Sequence, residues 1–136
     1  MREILFRGKR KDNGKWVEGF YCGGNERNTL HPAIFIYLPD KQSYDYQNID
    51  INTLGQFTGL TDKNGTKIFA GDIVKHIQKY EISGEVKSIA VIKWNETYTC
   101  WSVEYTNGRI TAFLGTEYHK LEVIGNIHDN SELLNK

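Results

Sequence analysis

Four histidines, His31, His76, His119 and His128, and two cysteines, Cys22 and Cys100, are the side chains of this 136-residue chain best suited to hold a metal or attack a substrate. Zinc sites draw ligands in short-spaced pairs, because one turn must aim two donors at one ion. These six residues form no such pair, and no HExxH occurs. Neither cysteine lies in a CxxC or in a nucleophile motif, and there is no GxSxG elbow. Two reduced, unrelated thiols are what the spacing predicts, with Cys100 in "YTCWSVEY" a small strand residue. Seventeen carboxylates offer acid and base pairs, but nothing marks one pair out. The glycine-rich "CGGNERN" lacks the Lys-Ser/Thr ending of a phosphate loop and opens no helix, so it reads as a loop. The expectation is a non-enzyme with no catalytic residue, no cofactor and no metal.

Nucleic-acid chemistry has more to work with. Residues 2 to 15 carry Arg2, Arg7, Lys9, Arg10, Lys11 and Lys15 against Glu3 and Asp12, and Trp16, Phe20 and Tyr21 follow. Cations beside exposed rings are what single-strand recognition uses, the charges meeting phosphates and the rings stacking on bases. Arg7, Lys9, Arg10, Lys11 and Trp16 are therefore the candidate contacts. A plainer reading competes: lysine and arginine protect edge strands, and tryptophan anchors cores and interfaces. Seventeen basic side chains cancel seventeen acidic ones, which argues against a protein that coats nucleic acid indiscriminately.

These residues must be positioned by β-structure. Aromatic and β-branched residues come in short bursts between polar turn residues, and no window sustains a helical apolar spacing. Asn-Gly occurs at Asn13-Gly14, Asn64-Gly65 and Asn107-Gly108, each flanked by strand-like sequence. Read as two-residue type I′ loops, the three hairpins place Lys9 opposite Glu18, Asp62 opposite Lys67, Leu60 opposite Phe69, Tyr105 opposite Ile110 and Val103 opposite Ala112. In the first, Phe6 and Tyr21 fall on one face and Leu5, Trp16 and Phe20 on the other. Further strands are expected at 33–38, 86–94, 98–105 and 122–127, loops at 22–30 and 39–48, and one terminal helical turn capped by Ser131. Trp94, Tyr98, Trp101, Tyr105 and Tyr118 are expected mostly in the core; if several prove exposed together, they mark an interface. "MREILFRGKR" has charge where a signal peptide needs an apolar stretch, and the longest apolar run, "AIFIYL", is too short to span a bilayer. A protein of the bacterial cytoplasm, with no membrane partner, is the expectation.

"GQFTGLTDKNGTKIFAGDIV", preceded by "RGKRKDNGKWVEGF" and followed by "LEVIGNIHDN", resembles the YopX family of small phage and prophage proteins. The resemblance implies a mainly β protein with a small SH3-like barrel, a phage or prophage origin, self-association into a homo-oligomer, and no catalytic residue that could be carried over. The expected division is an N-terminal hairpin region over 1–54 packed on a barrel over 55–128, with a tail at 129–136. In the matching blocks Asn13, Gly14, Gly59, Asn64, Gly65, Gly71 and Asp72 read as fold-specifying: Gly71 permits a turn, and Asp72 can accept a backbone N–H of that turn. Function is then expected to run through protein association, including self-association, with an unidentified protein partner open and nucleic acid as the alternative.

Overall fold

The computed structural model describes residues 2–23, 32–112, 114–116 and 118–135, so His31 and most of the loop expected at 22–30 lie outside the described residues. The chain is mainly β, with ten strands in two antiparallel five-stranded sheets and no α-helix among the described residues. It divides into two compact units, Met1–Phe57 and Thr58–Lys136.

The first unit holds β1 (Phe6–Arg10), β2 (Trp16–Cys22), β3 (Ala33–Leu38) and most of β4 (Ser43–Thr61). The order runs β1-β2-β3-β4, and β4 pairs back onto β1, so the four strands close on themselves. β2 and β4 each serve two neighbours. Trp16 to Gly19 of β2 face β1 and Phe20 to Cys22 face β3, while 43–48 of β4 face β3 and Ile49 to Gln56 face β1. Closure brings backbones together where glycine stands. A Cβ on Gly19 would lie 2.2 Å from the Phe35 carbonyl oxygen, and one on Gly8 would lie 2.6 Å from Ile49 Cδ1. Ile34 and Ile49 fill the interior with no exposure. The β1–β4 ladder slips between Arg7 and Lys9, and Thr53 repairs the gap by accepting the Lys9 N–H and donating to the Asp50 carbonyl.

The second unit holds the end of β4, then β5 (Lys67–Phe69), β6 (Asp72–Tyr80), β7 (Gly84–Asn95), β8 (Cys100–Tyr105), β9 (Ile110–Ala112) and β10 (Leu121–Asn126). Its sheet has the order β10-β6-β7-β8-β9. Ile68, Val74, Ala90, Ile92, Val103, Tyr105, Leu114 and Leu121 form the core, with Leu60, Trp101, Tyr118 and Val123 packed against it. This arrangement is compatible with the small barrel expected from the sequence.

All three Asn-Gly pairs sit in hairpin turns, but none is a two-residue type I′ loop. Positive φ is confined to the glycines Gly14, Gly65 and Gly108, and each asparagine keeps negative φ. The Asn13 and Asn107 side chains cap the turn instead, accepting the N–H of Lys15 and Arg109. This is the longer loop built on a type I turn with glycine in the left-handed position, and the extra residues move every register. In the first hairpin Arg7, not Lys9, faces Glu18, and Lys9 faces Trp16. A slip of two keeps the faces, and Phe6 and Tyr21 do meet, at 5.7 Å. In the third, Val103 faces Thr111 and Glu104 faces Ile110, a slip of one that reverses the faces of β9.

In the second hairpin Asp62 donates its N–H to the Thr66 carbonyl, so it does not face Lys67. Its side chain is 5% exposed. Oδ1 accepts the N–H of Asn64 and Thr66 at 2.8 and 2.9 Å, and Oδ2 accepts that of Val123 at 2.8 Å. One carboxylate thus closes the turn and ties it to β10. Burial pushes its pKa up, and the N–H bonds from Val123, Thr66 and Asn64, with Lys63 nearby, more than offset that, so the net shift is downward.

The expected loop at 39–48 is wrong beyond its first residues. A 3-10 turn at Pro39–Lys41 reverses the chain, and Ser43 already belongs to β4. β6 and β7 form a hairpin without an Asn-Gly signal, Tyr80 facing Gly84 across Glu81, Ile82 and Ser83. The terminal turn is a 3-10 helix at Ser131–Asn135, with Ser131 its first residue rather than the residue before it.

Gly19→Ala should destabilise the first unit by about 3 kcal/mol or more, because backbone must move to admit the methyl. Gly14→Ala, with open space around its Cβ and φ of +70°, should cost only about 1–2 kcal/mol. Denaturant unfolding compares the two. Asp62→Ala should cost about 2–4 kcal/mol by orphaning three N–H groups. The Asp62 pKa is lowered on folding, so its contribution is complete above the unfolded value of about 4 and is lost progressively as pH falls below that value and through the lower folded pKa. Wild type should therefore lose more stability than Asp62→Ala in an acid titration of the unfolding midpoint.

Candidate interaction surface

Strand alternation decides which side chains of the first unit reach water. Gly8, Gly19 and Ile34 point inward, so their neighbours Arg7, Lys9, Phe20 and Phe35 point out. Register then assembles a face. Phe20 lies opposite Phe35, Phe35 opposite Tyr46, and Tyr37 opposite Tyr44. The Phe35 and Tyr46 rings are 5.9 Å apart and the Tyr37 and Tyr44 rings 5.2 Å apart, both tilted. Phe20, Tyr37, Tyr44 and Tyr46 are 57%, 48%, 60% and 58% exposed, with Phe35 half-buried between them. Four rings at half exposure leave on the order of 400 Å² of aromatic surface in water, as large as the patches that mark binding faces on monomers.

Four of the five predicted nucleic-acid contacts, Arg7, Lys9, Arg10 and Trp16, are already engaged with the protein. Arg7 Cζ is 4.7 Å and Lys9 Nζ 5.5 Å from the centre of the half-buried Trp16 ring, contacts worth about 0.5–1 kcal/mol each. Arg10 makes a two-pronged pair with Asp12, Nη2 to Oδ2 at 2.6 Å and Nε to Oδ1 at 2.9 Å. That bond holds the Arg10 pKa above its ordinary value and the Asp12 pKa below its own. Lys11 is exposed on the turn. The structure thus gathers Arg7, Lys9 and Trp16 into one cluster and sets Arg10 apart in an ion pair.

Gly59 and Gly71 take positive φ, 88° and 86°, and Asp72 Oδ2 accepts the Phe69 N–H at 2.8 Å across the turn. Of the aromatic residues expected mostly in the core, Tyr105 is buried and Trp101 and Tyr118 are half-buried, whereas Trp94 and Tyr98 are 45% and 60% exposed. Buried His76 and Tyr105 share a hydrogen bond of 3.2 Å. Among the described residues no three of His, Cys, Asp and Glu are grouped so as to hold a metal ion, and no helix is long and apolar enough to cross a membrane.

The sequence matches the YopX protein family over residues 5–135. The chain belongs to the YopX family. This YopX protein is also similar in structure to protein EF1440 from Enterococcus faecalis, with a TM-score of 0.60 and 22% identity over 98% of this chain and 99% of that one. At that identity the likeness speaks for a shared fold alone. No curated protein matches it.

Sequence reasoning does not reach the aromatic face of β2, β3 and β4, because 39–48 reads as a loop. The signal was the alternation Tyr44-x-Tyr46 answering Phe35-x-Tyr37 across a Pro-Asp-Lys turn. If the rings serve a partner rather than the fold, Tyr37→Ser with Tyr44→Ser should cost no more than about 1 kcal/mol, the worth of one cross-strand pair. The midpoint of urea unfolding measures it, and a loss of several kcal/mol would make the rings structural.

Proposed function

We propose that this YopX protein is a non-enzymatic phage or prophage accessory protein of the bacterial cytoplasm that acts through protein association, beginning with a second copy of itself. The observation that carries the reading is the set of rings Phe20, Phe35, Tyr37, Tyr44 and Tyr46 on one face of the first unit. Rings of this kind form the energetic centres of protein interfaces, with large contact area and little rotamer entropy to lose. A second copy suits the face on two counts. Aromatic rows pack on aromatic rows, and a chain with seventeen charges of each sign brings little self-repulsion to the contact.

The alternative, a nucleic-acid-binding accessory protein, draws on Trp16 flanked by Arg7 and Lys9 beside Lys11. It ranks second because those two cations already lie against the ring and Arg10 is paired with Asp12.

Light scattering coupled to size exclusion, over a concentration series, tests both. Self-association through the rings predicts a mass above the monomer that resists salt and ignores a short single-stranded oligonucleotide. In Tyr37→Ser/Tyr44→Ser the association should weaken at least tenfold. A species that gains mass only with oligonucleotide at low salt, and loses that gain when Arg7, Lys9 and Lys11 are neutralised, would reverse the ranking.

A further inference from the structure

β6 and β7 outgrow the sheet that holds them. β10 pairs with β6 only over Asp72 to His76, and β8 pairs with β7 only over Ala90 to Asn95. Beyond those limits the two strands pair with each other alone, from Ile77↔Lys87 to Tyr80↔Gly84. Among the described residues no strand lies on the outer edge of β7 over Gly84 to Ser88. Such an edge is a template for another strand, and a two-stranded ribbon is marginal in water. Its apolar residues are exposed as well: Tyr80 by 50%, Val86 by 43%, and Ile82 fully at the tip.

The edge sequence is Gly84-Glu85-Val86-Lys87-Ser88, and it complements itself. Two copies laid antiparallel about Val86 set Glu85 opposite Lys87 of the partner subunit and Lys87 opposite Glu85 of the partner subunit, with the two valines face to face. Backbone polarity fits the same register. Thr106 donates its N–H to the Ile89 carbonyl, so Ile89 turns its peptide groups toward the β8 side. By alternation Glu85 and Lys87 turn theirs to the open edge. These are the residues a two-fold axis through Val86 makes a hydrogen-bonded pair, with Val86 in the close-packed position between. On one face Lys79, 3.9 Å from Glu85, extends the alternation of charge. On the other, Tyr80 and Val86 gain cover from their counterparts.

We infer that two copies of this chain pair through the β7 edge, Gly84 to Ser88, in an isologous antiparallel contact centred on Val86. This contact lies on the second unit and does not rest on the aromatic face of the first. It continues the sheet across the two-fold axis, β6 and β7 meeting β7 and β6 of the second copy.

Charge exchange tests it by sedimentation velocity at low salt. Glu85→Lys and Lys87→Glu each put like charges opposite one another at both symmetric positions and should weaken pairing about tenfold. Glu85→Lys/Lys87→Glu should restore it, and an equimolar mixture of the two single variants should form the mixed pair. The altered side chains are exposed, so thermal melting should stay near wild type. A wild type monomeric throughout, single variants that associate like wild type, or a mixture no heavier than its parts would each overturn the inference. The swaps leave Tyr37 and Tyr44 in place. Assembly that ignores them but fails in the tyrosine variant overturns the β7 pairing alone, and the converse pattern overturns the aromatic face alone.

Discussion

Closing four strands into one ring brings their backbones close together, and much of the first unit follows from that constraint. The centre admits Ile34 and Ile49 only because the positions facing them are Gly8 and Gly19. Strand alternation then divides the rings between the two sides, Phe6 and Tyr21 sharing the side of Gly19 and Ile34. Phe20, Phe35, Tyr37, Tyr44 and Tyr46 take the outer face, where cross-strand register lines them up. The exposed aromatic face is thus a consequence of how the unit closes.

The second unit depends on a different device. A buried carboxylate in water-poor surroundings is stable only when hydrogen-bonded, and Asp62 is, by three backbone N–H groups from a turn and a distant strand. It fixes the β4–β5 hairpin against β10, and β10 in turn aligns β6. From there β6 and β7 run on past their neighbours, so the sheet ends in a ribbon with an open edge. Core, edge and tip follow from one ladder whose strands differ in length.

Much of this was legible in the sequence. The β class, the three Asn-Gly hairpins, the strand at Ala33–Leu38 and the roles of Gly71 and Asp72 follow from turn chemistry and composition. Loop length was not, since Asn-Gly serves a two-residue loop and a longer one with left-handed glycine equally well, and the difference is a register shift. The same limit hid the partner of Asp62. Its Val123 contact spans sixty-one positions, and no local pattern announces a bond of that range. The aromatic face was missed because "SYDYQN" carries polar residues on its alternate positions and so lacks the apolar mark of a strand. The cluster of Arg7, Lys9 and Trp16 was expected as neighbours in space, but its cations prove to lie against the ring.

If the protein associates as proposed, the rings of β2, β3 and β4 are covered when two copies meet. Tyr44 and Tyr98 are equally exposed in the isolated chain, 60% each, and Tyr98 lies outside both proposed contacts. Chemical labelling of tyrosines, read by mass spectrometry at dilute and at high protein concentration, compares them directly. Tyr44 should become protected as concentration rises while Tyr98 keeps its reactivity. Equal labelling of the two at every concentration would contradict it.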